Sequence, residues 1–166
     1  MVHHGAVGIN TDKPTEALTV HGNIRLTGNV MQTSDQRVKE EVVPANTRQQ
    51  LDNVRQLNLY HYSLKPAWAE AAGRQQDDRA ETGVLAQELQ AVLPDAVRTT
   101  GPVDFGGEHL DDLLVVNKER VFMENVGAVQ ELGKMADTLD GRIRELEVCI
   151  LVMSISRYCH GCQQHG

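Results

Sequence analysis

Residues 121–153 read VFMENVGAVQELGKMADTLDGRIRELEVCILVM, and this stretch has the clearest periodicity in the chain. Mostly apolar residues recur every seven positions, and a second set fills the companion positions of the same heptads. A heptad repeat of this kind predicts a parallel coiled coil, and therefore oligomerisation. The first set is Phe122, Val129, Ala136, Ile143 and Ile150, and the second is Asn125, Leu132, Leu139, Leu146 and Met153.

The predicted coil has weak points. Asn125 and Ala136 weaken its apolar seam, and Gly127, Gly133 and Gly141 each lower helix propensity by up to about 1 kcal/mol relative to Ala. The coil is therefore marginal by itself. The alternative is a single amphipathic helix that packs on its own domain.

The first thirty residues have a different pattern. Short runs of β-branched residues within 6–10 and 17–30 are broken by Gly and Asn. This pattern is typical of short strands with tight turns, and each run is too small to bury a face alone. We therefore expect the segment to need partners, which two further copies of itself would supply.

The region from residue 34 to about 120 mixes helical and strand signals, which indicates a small α+β core. The elements expected, in chain order, are a helix over 46–57 capped by Asn46, a strand over 59–64 that stops at Lys65-Pro66, an exposed polar loop over 71–81, a strand end and short helix over 82–94 closed by Pro94, and strands at 96–99 and 113–116 around a turn at Gly106-Gly107.

Composition narrows the class of protein. A chain of 166 residues with 40% hydrophobic content fits one ordinary domain plus extensions. The net charge of −7 argues against a free-standing nucleic-acid binder, which needs clustered Lys and Arg. We find no secretory signal after Met1 and no window of about 18 apolar residues, so we expect a soluble fragment.

The three cysteines all lie near the C-terminal end, so we expect no disulfide in the main body and a reducing compartment. Cys159 and Cys162 have the spacing of a zinc or redox pair. Without a second pair the signal is weak, and Cys149 adds no ligand spacing to it. We predict no metal site and no cofactor.

One segment carries residues of catalytic type. Lys39 follows Ser34 by five residues in Ser34-Asp35-Gln36-Arg37-Val38-Lys39. A serine hydroxyl becomes a good nucleophile when a base removes its proton, and a lysine is such a base once burial has lowered its pKa from about 10.4. Serine–lysine pairs are a known variant of catalytic triads. By itself the spacing is common, and an exposed polar loop is the alternative interpretation.

Longer stretches add weight to this pair. Residues 34–40, 82–88 and 93–97, followed by a coiled coil, resemble the intramolecular chaperone domain of bacteriophage endosialidase tailspikes, peptidase S74. More closely, residues 7–12, 17–23 and 116–129 resemble the myelin regulatory factor family, whose match runs from about residue 5 to residue 147.

The resemblance implies a homotrimer in which Ser34 attacks the Thr33–Ser34 peptide bond and Lys39 is its general base. It further implies that the released upstream piece is a trimeric transcription factor that moves to the nucleus from a precursor anchored in the endoplasmic reticulum membrane. The DNA-binding domain and the membrane segment lie outside this sequence. The partner is the chain itself, with no small-molecule substrate, and the alternative function is a trimerisation module that does not cleave.

Other polar residues are weaker candidates. Asp35 and Arg37 could support the pair by shaping its loop, while solvated charges near a turn are the alternative. Gln87 and Glu88 match the family's pattern, and we assign them a structural role. His21, His61 and His109 lack metal-ligand spacing and are expected at the surface or partly buried.

The predicted fold class is α+β: a short triple-stranded β-stalk, a small mixed core and a C-terminal parallel three-stranded coil. The predicted domains are 1–33 for the stalk end, 34–120 for the chaperone and self-cleaving core, 121–153 for the coil and 154–166 for a tail that departs from the family. The coil residues are Phe122, Val129, Leu132, Ala136, Leu139, Ile143 and Leu146.

Overall fold

A computed structural model describes residues 2–3, 5–74 and 79–162, with the backbone alone for 2–3 and 154–162. The described α-helices and β-strands, in chain order, are β1 (Val2–His3), β2 (Ala6–Ile9), β3 (Leu18–Val20), α1 (Thr47–Val54), β4 (Tyr60–Ser63), α2 (Pro66–Ala71), β5 (Ala80–Gly83), α3 (Ala86–Val92), β6 (Val97–Thr99), β7 (Val103–Phe105), β8 (Glu108–Leu110), β9 (Leu114–Val116) and α4 (Lys118–Cys162). The chain divides into two compact units. The first unit consists of Met1–Pro44 and Arg55–Phe122, and the second consists of Ala45–Val54 and Met123–Gly166.

The N-terminal strands of the first unit form a small sheet in the order β1-β2-β3. The β1–β2 pair is antiparallel, whereas β2 and β3 are parallel with Val7 opposite Leu18. In the single chain these strands find partners in each other, although the sequence pattern suggested partners from further copies. From His21 to Ser34 the chain contains no strand, so only the first part of the predicted strand run from residue 17 onward is a strand, Leu18–Val20.

The apolar core of the first unit lies under α3. Leu89, Leu93, Ala96 and Val97 are buried, and partly buried side chains from 57, 84, 86, 114, 116 and 121 pack against them. Burying a leucine side chain of this kind stabilises the fold by about 1.5–3 kcal/mol. Pro94 follows the last turn of α3 and cannot continue it, as the sequence predicted.

Antiparallel pairing of β6 with β9 completes this core, with Val97 opposite Val116. The connection between them forms a second hairpin, β7–β8, which sequence analysis missed because each strand has only three residues. Its turn is Gly106-Gly107, with φ of 61° and 76°. Positive φ at both central residues is the geometry of a two-residue hairpin turn, for which glycine is favoured.

A further antiparallel pair joins β4 to β5. The alternating pattern predicts β4 correctly, with Lys65-Pro66 only as its end. Pro66 instead begins α2, because proline at the first helical position loses no helical hydrogen bond. The predicted exposed loop over 71–81 is wrong at both ends, since Ala71 closes α2 and Ala80 opens β5, while 75–78 lie outside the described residues.

The second unit pairs α1 with the part of α4 that begins at Met123. Asn46 caps α1, accepting a hydrogen bond from the Gln49 backbone N–H at 3.1 Å, as predicted. Leu51 and Ala128 are buried. Gly127 allows the close approach of α1, because a Cβ built there would lie 1.7 Å from Gln50 Oε1.

This helix pair contains a buried carboxylate. The Glu124 side chain is only 1% exposed, and its oxygens accept hydrogen bonds from Asn53 Nδ2 at 2.6 Å and from Gln50 Nε2 at 3.4 Å. Farther along, Thr47 Oγ1 donates to Glu131 at 2.7 Å. The contact between the helices is therefore largely polar, which the heptad pattern did not predict.

Helix α4 is continuous over Lys118–Cys162, longer than the predicted 121–153. From Leu132 to Met153 every side chain is exposed. The predicted seam residues are all exposed, and the large ones are more than half exposed: Phe122, Val129, Leu132, Ala136, Leu139, Ile143 and Leu146. This apolar row is available for another chain, and three-stranded assembly remains a prediction. None of the helices in the described ranges has a stretch long and apolar enough to cross a bilayer.

Candidate functional site

A short turn shapes the segment around Ser34. Residues Gln36–Val38 form one turn of 3-10 helix, capped by Asp35, whose Oδ1 accepts from the Arg37 backbone N–H at 2.8 Å. The Lys39 N–H donates to the Gln36 carbonyl at 3.1 Å and closes the turn. An aspartate that bonds the backbone two residues on is a common way to fix such a turn.

The turn brings together the two residues that the sequence singled out. Lys39 Nζ donates a hydrogen bond to Ser34 Oγ at 2.7 Å. That distance is within the reach that a general base needs from the hydroxyl whose proton it removes. Thr33, on the other side of the predicted scissile bond, is exposed, as are Ser34 and Lys39.

Asp35 and Arg37 form a two-point ion pair beside this contact. Arg37 Nε lies 3.0 Å from Asp35 Oδ1, and Nη2 lies 2.6 Å from Oδ2. The guanidinium of Arg37, and after it the Arg37 backbone N–H, lower the pKa of Asp35, which in turn raises the pKa of Arg37. The pair ties the N-cap of the turn to its middle residue, and a role in supporting Ser34 and Lys39 remains a prediction.

Exposed apolar side chains flank the pair in the sequence. Val30, Met31, Val38, Val42 and Val43 are between 67% and 90% exposed. Five large apolar side chains within one irregular segment form an unusual surface for a chain in water. Another molecule that covered this segment would also remove water from Ser34 and Lys39.

Glu88 links two elements of the core. Its carboxylate accepts hydrogen bonds from Asn58 Nδ2 at 3.0 Å and from the Tyr60 hydroxyl at 2.8 Å. Asn58, and then Tyr60, lower the pKa of Glu88, while the Glu88 carboxylate raises the pKa of Tyr60. These bonds tie α3 to β4, in agreement with a structural role, whereas Gln87 is exposed.

The three histidines considered above lie in different settings. His21 is partly buried with its ring against Phe105, and the exposed His61 ring lies 2.8 Å from Thr82 Oγ1. His109 lies between Asp104 and Asp111, which raise its pKa in that order of effect. This last cluster was missed by sequence analysis, because the β7–β8 hairpin that forms it was not predicted.

No group of three or more His, Cys, Asp or Glu side chains in the described part of the chain is arranged to hold a metal ion. Cys149 is exposed with a free thiol. The side chains of Cys159 and Cys162, which have CxxC spacing, lie outside the described residues. The weak zinc or redox signal of that pair therefore stays untested.

Two family models match the chain. The myelin regulatory factor ICA domain matches residues 114–149, and the chaperone of endosialidase, peptidase S74, matches residues 34–98. The second match begins at Ser34 and contains Lys39.

Several curated proteins match most of the chain. Myelin gene regulatory factor-like A of Dictyostelium discoideum is 40% identical over 140 residues, which is 84% of this chain and 15% of that protein. Myelin regulatory factor homolog 1 of Caenorhabditis elegans is 39% identical over 143 residues, 85% of this chain and 14% of that protein. An uncharacterized Dictyostelium discoideum protein is 40% identical over 151 residues, which is 89% of this chain and 13% of that protein.

The chain thus spans only 13–15% of the length of these relatives. Among solved structures, the crystal structure of a novel intramolecular chaperon aligns with a TM-score of 0.42 and 16% identity, covering 61% of this chain and 99% of that chain. The sequence relatives and the two family models together show that the chain belongs to the myelin regulatory factor family and carries its chaperone module, which is of the self-processing peptidase S74 type.

Proposed function

We propose that the chain cuts its own Thr33–Ser34 bond once, with Ser34 as the nucleophile and Lys39 as the general base. The observation that carries the proposal is the 2.7 Å hydrogen bond between Lys39 Nζ and Ser34 Oγ, within a segment that matches a self-processing peptidase family. No cofactor takes part, because both groups that the reaction needs are side chains of this segment.

The chemistry follows from the position of Ser34 at the bond it attacks. The neutral Lys39 amine removes the hydroxyl proton as Ser34 Oγ adds to the Thr33 carbonyl carbon. The bond from that carbon to the Ser34 nitrogen then breaks, the nitrogen takes up a proton, and an ester joins Thr33 to Oγ. Water hydrolyses the ester, leaving a carboxylate on Thr33 and a free α-amine on Ser34.

Assembly supplies what the single chain lacks. In the single chain Ser34 and Lys39 are both exposed, whereas a serine–lysine pair needs a lysine that is shielded from water. The exposed apolar side chains around the pair and along α4 are surfaces that neighbouring copies can cover. A trimer joined through the α4 seam would desolvate the lysine and could complete a site for the developing oxyanion.

In the longer protein the reaction would separate the upstream part from the rest of the chain. By analogy with the family, the precursor is anchored in the endoplasmic reticulum membrane, and cleavage frees an upstream trimer that carries a DNA-binding domain to the nucleus. That domain and the anchor lie outside this chain. The chain contributes the cut and the trimeric assembly.

Two measurements on the purified chain test the proposal. Denaturing electrophoresis with mass spectrometry is expected to find a fragment that begins at Ser34, and light scattering is expected to find a trimer. Ser34→Ala should stay uncut and remain trimeric. A wild-type trimer that keeps its full length would instead identify the chain as a trimerisation module that does not cleave.

A further inference from the structure

The segment upstream of the proposed cut is held against the core by contacts that do not involve the cut bond. Lys13 Nζ, between β2 and β3, lies 3.2 Å from Asp104 Oδ2 on β7. Both side chains are largely exposed, at 67% and 59%. The other oxygen of the same carboxylate lies 2.5 Å from His109 Nδ1, which fixes the orientation of the Asp104 side chain.

Next to this ion pair, an aromatic contact joins the same two parts. The His21 ring meets the Phe105 ring edge-on, with centroids 4.8 Å apart and planes at 71°. Trp68 contacts Phe105 from the core in the same manner, at 5.1 Å and 70°. Edge-to-face packing is a favoured geometry for rings. Gly22 follows with φ of 144°, and a Cβ built there would lie 3.7 Å from the Ala72 carbonyl oxygen.

A third contact lies beside the proposed cleavage site. Gln32 Nε2 donates to Glu119 Oε2 at 2.6 Å, one residue before Thr33. Glu119 belongs to the first turn of α4, within the same compact unit as the N-terminal sheet. The upstream segment is therefore held at both its middle and its end.

We propose that the core surface formed by Asp104, Phe105 and Glu119 is a docking site for the cut upstream segment, so that release of that segment is a separate step after hydrolysis. The inference rests on the proposed function, since it concerns the product of that cleavage. Breaking the Thr33–Ser34 bond removes none of the three contacts. Cleavage turns a covalently linked segment into a bound ligand of its own core.

We expect ionic strength to affect this release step through one of the three contacts. The sheet β1-β2-β3 forms no strand pairing with the other described strands, so side chains carry the contact. One of the contacts is an exposed ion pair, and salt screens exposed charges strongly between about 0.1 M and 1 M. In a trimer three such contacts act together, which slows release well beyond that of one chain.

The test separates docking from self-cleavage. A Ser34→Ala chain that carries the recognition sequence of a site-specific protease directly after Thr33, an exposed position, is cut by that protease alone and keeps Gln32 on the upstream piece. Denaturing electrophoresis verifies the cut. Size-exclusion chromatography at about 0.05 M and about 1 M NaCl then reports whether the two pieces elute together. We expect co-elution at low salt and weaker retention of the upstream piece at high salt.

Point variants identify the contacts. Asp104→Asn or Lys13→Gln should speed dissociation by about two- to fivefold per chain, with little further effect when combined. His21→Ala should speed it additionally. Lys65→Gln is the matched control, because it removes the same charge from an ion pair within the core, with Glu108, and should change nothing.

Two results would overturn the docking proposal. Pieces that do not co-elute even at about 0.05 M NaCl are not bound to the core. Pieces whose dissociation is unchanged by Asp104→Asn, Lys13→Gln and His21→Ala are not held by this surface. Because an added protease makes the cut, either result counts even if the wild-type chain never cleaves itself. Conversely, a wild-type chain that stays intact refutes self-cleavage and leaves the docking result standing.

Discussion

Replacing Lys39 by methionine is the most direct test of the proposed mechanism. Methionine has nearly the length of lysine but cannot accept a proton. The Lys39 Nζ lies 2.7 Å from Ser34 Oγ, within the range of about 2.6–3.2 Å required of a general base. The Lys39→Met chain retains the nucleophile and the bond to be cut, and loses only the base.

The expected effect is large on the rate and small on stability. General base catalysis typically contributes about 10²- to 10⁴-fold. At about 1.4 kcal/mol for each factor of ten, the activation free energy rises by about 3–5 kcal/mol. Because Lys39 is exposed, its replacement should change the free energy of unfolding by less than about 0.5 kcal/mol.

The assay follows the uncut fraction over time after the chain assembles, by quenching samples in denaturant. Lys39→Arg separates base from charge, since an arginine keeps the positive charge but does not deprotonate in proteins, and it should be as slow as Lys39→Met. Lys65→Met is the control for replacing an exposed lysine elsewhere. A trimeric Lys39→Met chain that cuts at the wild-type rate would remove Lys39 from the mechanism.

Three further predictions concern the fold. Glu124→Ala should lower the free energy of unfolding of the α1–α4 unit by about 2–4 kcal/mol, because the half-buried amides of Asn53 and Gln50 lose their buried acceptor. The exposed Glu145→Ala should cost less than about 0.5 kcal/mol in urea melts at one chain concentration. An NMR titration should find the pKa of His109 above that of a free histidine, and Asp104→Asn should lower it. Because the pKa of His109 is higher in the folded chain than in the unfolded chain, protonated His109 stabilises the fold. This stabilisation is complete below about pH 6.5 and is lost as the pH rises through the folded pKa. A His109 pKa equal to that of a free histidine would contradict the cluster. Gly8→Ala should destabilise the N-terminal sheet, because its Cβ would lie 2.3 Å from a backbone oxygen, and unchanged melting would refute that packing.

Local patterns predicted the elements that local forces determine. The heptads of α4 and the proline that closes α3 are properties of neighbouring residues, and both helices occur where the sequence indicated. The short elements were harder to predict. The hairpin β7–β8 has three-residue strands, and Pro66 begins a helix in a position that also suits the end of a strand.

The helix glycines show how tertiary contacts change the meaning of a residue. By propensity alone, Gly127 only weakens α4. In the folded chain it lies where a Cβ would collide with the Gln50 side chain, so it permits α1 to approach. The buried Glu124 is similar, because its hydrogen-bond partners on α1 are some seventy positions away in the chain.

For the candidate site, the sequence by itself determined which residues are present: a serine, a lysine five positions later and the family pattern around them. Only the tertiary structure decided that the two side chains meet, because the turn capped by Asp35 sets their separation. It also decided that Lys13 and His21 contact β7, since side chains so distant in the sequence meet only after the chain has folded. Residue type determines what chemistry is available, and the path of the backbone determines which groups come close enough to carry it out.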